Sequence, residues 1–191
     1  MGNSEIDLDK GKLIRLEKIQ IEEETDLYFN ETSDSKYATV KRTYLISPNK
    51  ITLKTNFEFT SDIFMGTSYV CMLPILKNYG KYALFRESGN VYTTPSEGET
   101  LSKDGFDNFL GKEASTTVEV WGDAKPSYKF ITLIRDSKMV DNFRNELKTF
   151  YWDLNECGNK LYFSKFDNEN AQKIKKGTRW ENYCEWCIVI K

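Results

Sequence analysis

Between Ile51 and Phe59 the chain alternates, with Ile51, Leu53, Phe57 and Phe59 set against Thr52, Lys54, Asn56 and Glu58. A period of two marks a half-buried strand. Tyr37 to Ile46 carries similar β-branched and aromatic content, and Ser47-Pro48-Asn49 between the two runs supplies turn chemistry, so together they predict a hairpin. Eight more runs read as strands: Arg15 to Glu22, Thr67 to Leu73, Lys81 to Phe85, Asn90 to Thr93, Thr117 to Trp121, Tyr128 to Ile134, Leu161 to Phe166 and Tyr183 to Ile190. Ser88-Gly89-Asn90, Gly122-Asp123, Cys157-Gly158-Asn159 and Lys176-Gly177 punctuate them as turns. Ten short strands so joined predict an all-β antiparallel sandwich or barrel. One segment reads as helix: over Lys138 to Lys148, Met139, Phe143 and Leu147 recur every four residues. With no internal repeat and no Pro- or Ser-rich linker, residues 11–191 read as one sandwich domain behind a polar lead of residues 1–10.

Composition narrows the function. A chain of 191 residues buries roughly 70% of the surface its unfolded form exposes, so it needs no covalent staples. Its 27 Lys and Arg against 29 Asp and Glu, with no basic run, point away from nucleic acid. No segment approaches eighteen uninterrupted apolar residues, and Met1 to Lys10 lacks the basic flank and apolar run of a secretory signal. The expectation is a cytoplasmic or virion-associated protein with no membrane partner. The chain contains no histidine, which removes the usual general base, the usual catalytic-zinc ligand and the neutral-pH switch together.

Cys184 and Cys187 are three residues apart in Tyr-Cys-Glu-Trp-Cys-Ile-Val-Ile, which reads as strand and puts the two thiols on opposite faces. That geometry opposes both zinc chelation and a redox Cys-x-x-Cys, so with Cys71 and Cys157 they are expected to be reduced, mostly buried thiols binding no metal. Glu5-Ile6-Asp7-Leu8-Asp9 looks like the carboxylate signature of laminarinase-type glucanases, but it ends in Asp9 where that family has its acid Glu and lies at the terminus, so it reads as a solvated tail. Ser-x-x-Lys occurs at Ser33 to Lys36 and Ser47 to Lys50, both in turn-like stretches rather than at a helix start. Neither Gly-x-Ser-x-Gly nor a phosphate-cradling glycine loop is present. No catalytic residue is assigned and no cofactor is expected. Calcium is the one cation left open, at Asp167-Asn168-Glu169-Asn170, against the plainer reading of a polar turn.

The aromatic residues, 4 Trp, 11 Tyr and 12 Phe, carry more. Most must be core. In Thr117 to Trp121, Val118 and Val120 claim the inner face, which leaves Glu119 and Trp121 together on the outer one. An indole beside a carboxylate suits a sugar, the ring stacking on pyranose C–H groups while the acid accepts hydroxyl hydrogen bonds. The competing reading is a Trp that covers a sheet edge. Glu58 points outward from its own strand with Lys54 and Asn56, and Arg42 and Tyr44 share one face of the partner strand, so Trp121, Glu119, Arg42, Tyr44 and Glu58 form the candidate ligand-binding set. Trp180 and Trp186 read as structural, the latter sharing a face with Ile188 and Ile190.

The segments Arg42 to Asn49, Ser68 to Pro74, Val118 to Asp123, Lys160 to Phe163 and Lys176 to Trp180 resemble the concanavalin-A-like jelly-roll modules of phage tail and bacterial surface glycan-binding proteins. That resemblance implies two packed antiparallel sheets and a carbohydrate surface on a concave face. The function expected is therefore a non-catalytic carbohydrate- or cell-surface-binding module whose partner is a glycan. The alternatives are a glycan-cleaving glycosidase or lyase on the same fold, and a structural module that forms homo-oligomers in a virion or surface assembly.

Overall fold

A computed structural model describes residues 16–29, 34–101, 109–135, 146–166 and 171–190. They form fourteen strands: β1 (Ile19–Tyr28), β2 (Lys36–Ser47), β3 (Lys50–Phe59), β4 (Ile63–Met65), β5 (Ser68–Leu76), β6 (Tyr82–Phe85), β7 (Val91–Thr93), β8 (Phe109–Glu113), β9 (Thr117–Trp121), β10 (Tyr128–Ile134), β11 (Thr149–Asp153), β12 (Gly158–Phe166), β13 (Gln172–Ile174) and β14 (Arg179–Ile190). All pairings are antiparallel. Eight strands make a large sheet in the order β1-β2-β3-β14-β10-β9-β6-β7, four make a smaller one in the order β5-β12-β11-β8, and β4 pairs with β13.

Each of the ten expected strands overlaps an observed one, the first only over Ile19 to Glu22, and the β2–β3 hairpin turns at Pro48 and Asn49 with Ser47 opposite Lys50. That turn also accounts for Ser47 and Lys50, whose contact is from the Ser47 hydroxyl to the Lys50 carbonyl at 3.1 Å. Four strands carried too little pattern to be anticipated. β4 and β13 are three residues long, β8 is Phe-Leu-Gly-Lys-Glu, and β11 follows directly on the segment that reads as helix. No helix occurs among the described residues. The expected one lies mostly outside them, and its last residues, 146–148, form a bend with Leu147 exposed.

The sandwich core lies between the large and small sheets. Ala83, Phe85, Val118, Val120, Ile134 and Cys184 of the large sheet meet Val70, Cys71, Tyr151, Leu161 and Phe163 of the small one. Trp186 spans the gap, its indole N–H donating to the Met72 carbonyl at 3.2 Å. A second cluster fills the space under the far end of the large sheet, where Ala38 and Phe59 meet Ile63, Phe166 and Ile174. Trp180 seals it, its ring 4.6 Å from that of Phe59 in edge-to-face geometry. Trp180 and Trp186 are thus packing residues.

One end of the sandwich is closed by a buried polar network. Lys77 and Asp153, 2% and 0% exposed, pair at 2.7 Å. Lys77 also donates to the Glu99 carbonyl, and Asp153 accepts from the Leu101 amide at 2.7 Å and the Thr100 hydroxyl at 3.3 Å. Beside them the Tyr151 hydroxyl donates to the Gly80 carbonyl, as does Asn159 at 2.8 Å, and Thr94 donates to Asn159 at 3.0 Å. The network anchors the 94–101 connection to the end of the core through the Glu99 carbonyl and the Leu101 amide. Gly122 sits against this end: a Cβ there would lie 2.6 Å from the Asn78 carbonyl carbon, and backbone cannot give way as a side chain would.

Lys77→Met should therefore leave an uncompensated interior carboxylate and cost roughly 3–5 kcal/mol in urea denaturation. Gly122→Ala should cost about 1–3 kcal/mol through overpacking, read by the same titration.

Candidate functional site

The chemistry-bearing face is the outer one of the large sheet. Register along β9 turns Val118 and Val120 into the core and sets Glu119 and Trp121 on the opposite face, beside Lys129 of β10 and Tyr82 of β6. Glu119 is only 1% exposed there. Lys129 donates to one carboxylate oxygen at 2.6 Å and Arg86, just past β6, pairs with the other. Burial pushes the Glu119 carboxyl up, but the hydrogen bonds from Lys129 and Arg86 outweigh it and hold the group below its usual range. Trp121 stacks on Tyr82 with centroids 5.7 Å apart and planes inclined by 27°, and the Lys129 ammonium lies 5.4 Å from the indole centroid.

The same face holds a second arrangement of this kind. Glu185 of β14 is 1% exposed and pairs with Lys50 of β3 at 3.1 Å and with Arg135, just past β10. Each glutamate thus takes one cation from the strand on either side, two residues away along the sheet, in the diagonal relation that lets long side chains meet. Between the two carboxylates runs β10, which presents Ile131 and Leu133: Ile131 faces Glu119 across one ladder, and Leu133 faces Glu185 across the other. Strand spacing puts the two glutamate Cα atoms roughly 12 Å apart. The arrangement is two anionic centres, each clamped by two cations, flanking an apolar ridge.

Of the five candidate residues, the structure brings together Glu119 and Trp121. Glu58 shares their face but lies three strands away and farther along the sheet, on the order of 30 Å by strand spacing, and it pairs with Arg179 at 3.0 Å. Arg42 and Tyr44 face Thr55 and Leu53, on the opposite side of the sheet, and Arg42 pairs with Glu23 at 2.8 Å. Sequence reasoning passed over Glu185, Lys50, Arg135, Arg86 and Lys129. The alternation that turns Glu119 outward also turns Glu185 outward, opposite Cys184 and Trp186, and that was a usable signal. The cations carried none, because their partners are fixed by strand order.

Among the described residues no group of three or more acidic or cysteine side chains converges to hold a metal. The Asp167 to Asn170 run and the Glu5 to Asp9 segment lie outside the described residues. Cys184 points into the core and Cys187 away from it, as alternation requires, and all four cysteines are free.

No family model matches the chain, and no curated protein does. Solved structures similar to it include a galactose mutarotase-like protein from Clostridium acetobutylicum, with 10% identity over 94% of this chain and 65% of that one at a TM-score of 0.43. Another is the GalM/aldose epimerase homologue from C. elegans, with 8% identity over 94% and 68% and a TM-score of 0.44. A third is the Slr1438 protein from Synechocystis sp. PCC 6803, with 6% identity over 92% and 63% and a TM-score of 0.42. This chain spans about two thirds of the length of these proteins.

Two expectations are corrected here. The similar structures include a galactose mutarotase-like protein and an aldose epimerase homologue, not the concanavalin-A-like modules expected. The segments that carried that resemblance are the β2–β3 hairpin, β5, β9, β12 and the turn into β14, strand-and-turn units that any antiparallel sandwich contains. The non-catalytic glycan-binding module falls with it. Arg86 and Lys129 engage the two oxygens of Glu119, and Trp121 is stacked on Tyr82.

Because the Glu119 carboxyl is held below its ordinary value of 4.5, its contribution to stability is complete above that value and is lost as pH falls through the depressed one. Glu119→Gln should flatten the acid limb of a stability-versus-pH curve. At neutral pH it should cost about 1–3 kcal/mol, less than a fully buried pair because Arg86 and Lys129 keep contact with water.

Proposed function

We propose that the chain is a carbohydrate-modifying enzyme, or the sandwich part of one, whose working surface is the outer face of the large sheet between Glu119 and Glu185. What carries the reading is the burial of both carboxylates on a face that alternation directs toward water, each between two cations. Such pairs add little to stability compared with apolar packing, so a face built this way is better explained by chemistry than by folding alone.

An ionised carboxylate can only accept a proton, and loss of one of the two cations that lower the Glu119 pKa would strengthen it as a base. In this reading a sugar hydroxyl displaces Arg86, the more exposed of the two cations, and donates its hydrogen bond to Glu119. Glu119 takes the anomeric hydroxyl proton as the C1–O5 bond breaks to the open-chain aldehyde, and the Lys129 ammonium gives a proton to the departing ring oxygen. Closure on the other face of the carbonyl reverses both transfers, and on a uronate the same base would take the C5 proton while Lys129 protonates the oxygen leaving C4. Trp121 and Tyr82 supply an aromatic edge for the sugar ring, and Ile131 and Leu133 the apolar floor. A base with adjacent cations suits anomer interconversion or β-elimination. It does not suit hydrolysis by an acid and nucleophile pair, which needs one carboxyl protonated.

The test is a panel of three assays: polarimetry on freshly dissolved aldose anomers, ultraviolet absorbance of unsaturated products from uronate polymers, and reducing-end release. Activity is expected in one of the first two, with kcat lowered about 10²–10⁴-fold in Glu119→Gln and unchanged in Glu58→Gln. No turnover in any assay by folded wild-type protein would overturn the reading in favour of a structural module. Reducing-end release alone would reassign the chemistry to hydrolysis.

A further inference from the structure

The two buried cysteines meet across the sandwich. Cys71 lies on β5 of the small sheet, where it faces Phe163 of β12, and Cys184 lies on β14 of the large sheet, between Leu53 of β3 and Ile134 of β10. Both belong to the same core cluster. The two strands are packed directly on each other, since Trp186, two residues after Cys184, reaches the backbone of Met72, the residue after Cys71. Where the two strands cross, their Cα atoms approach within 8 Å.

We propose that Cys71 and Cys184 form an inter-sheet disulfide when the chain folds in the presence of a small-molecule disulfide, stapling the two sheets through the centre of the core. A disulfide spans Cα atoms about 4.4–6.8 Å apart, so two cysteines of one core cluster, on strands that approach this closely, need only a small further approach to be bridged. Sequence spacing alone gives no hint of it, because the pair is fixed by tertiary packing. The balance is a thiol–disulfide exchange. One cysteine thiolate attacks glutathione disulfide and expels a glutathione thiolate, and the second cysteine thiolate attacks the mixed disulfide and expels another. The cysteine sulfurs lose two electrons to the glutathione sulfurs, and the two thiol protons end on the released glutathione.

Burial pushes the Cys71 thiol well up, with the Cys184 contact adding to it, so the folded core protects both thiols from exchange. The bridge therefore forms during folding, while the sheets are apart, and once formed it closes a loop of about a hundred residues, the size for which the entropic benefit is large.

A Cys157→Ser, Cys187→Ser variant isolates the pair without touching the core, since Cys157 is exposed and Cys187 lies on the outer face. It is unfolded in urea and refolded with glutathione disulfide, or with reduced glutathione as control. Oxidative refolding should leave no titratable thiol and a mass lower by two hydrogens. Digestion should release one linked peptide pair containing Cys71 and Cys184, and the bridged form should unfold at higher urea than the control. The folded, reduced variant exposed to the same disulfide should keep both thiols over hours. Two free thiols or two glutathione adducts after oxidative refolding would overturn the bridge. A bridged form that unfolds no later than the reduced one would overturn the stapling.

Discussion

The register of one strand fixes most of what is distinctive in this molecule. β14 is twelve residues long and is hydrogen-bonded on both edges, to β3 and to β10, so neither of its faces is free to choose. Because side chains alternate with a period of two, a slip of one residue would carry Glu185 into the apolar core and Cys184 and Trp186 out of it. The double pairing forbids that slip. From it follow the Trp180 seal on the second cluster, the Trp186 and Cys184 contacts with β5, and the placing of Glu185 between Lys50 and Arg135.

The outer face of the large sheet divides in two by its electrostatics. Across β1, β2, β3 and the start of β14, ion pairs such as Lys41 with Glu24, Lys54 with Glu181 and Arg179 with Glu58 stand in solvent, where each contributes at most about 1 kcal/mol. Around β10 the carboxylates sink below their cations until water no longer reaches them. There the field of each cation is less screened, and at Glu119 the hydrogen bonds from Lys129 and Arg86 hold the carboxyl below its usual range. This contrast, rather than any pocket, is what marks out Glu119 and Glu185 on an otherwise ordinary charged sheet.

The two buried polar sites are built differently, and the difference separates scaffold from candidate chemistry. Lys77 and Asp153 are sealed inside the sandwich, and both hydrogen-bond to the 94–101 connection, at the Glu99 carbonyl, the Leu101 amide and the Thr100 hydroxyl. Those bonds tie one part of the chain to another. Glu119 and Glu185 instead face outward, with cations whose own side chains remain partly exposed and can move aside for another partner.

How much of this was legible in the chain depends on whether the information is local. Alternation in Ile51 to Phe59 and Thr117 to Trp121, and the turn at Pro48-Asn49, act between neighbouring residues, so the strands, the β2–β3 hairpin and the outward pairing of Glu119 with Trp121 could be read directly. β11 could not, because Thr-Phe-Tyr-Trp-Asp carries bulky side chains on both faces and has no period to detect. Strand order is not local at all. That β14 lies between β3 and β10, more than forty residues away along the chain in each case, decides which cations meet Glu185 and which thiol meets Cys184. It likewise places Arg42 and Tyr44 on the face away from Glu119, although each strand taken alone left that choice open. The amino-acid pattern determined which residues could share a face; only the order in which the strands pair decided which strands stood side by side, and therefore which charges had to be buried together.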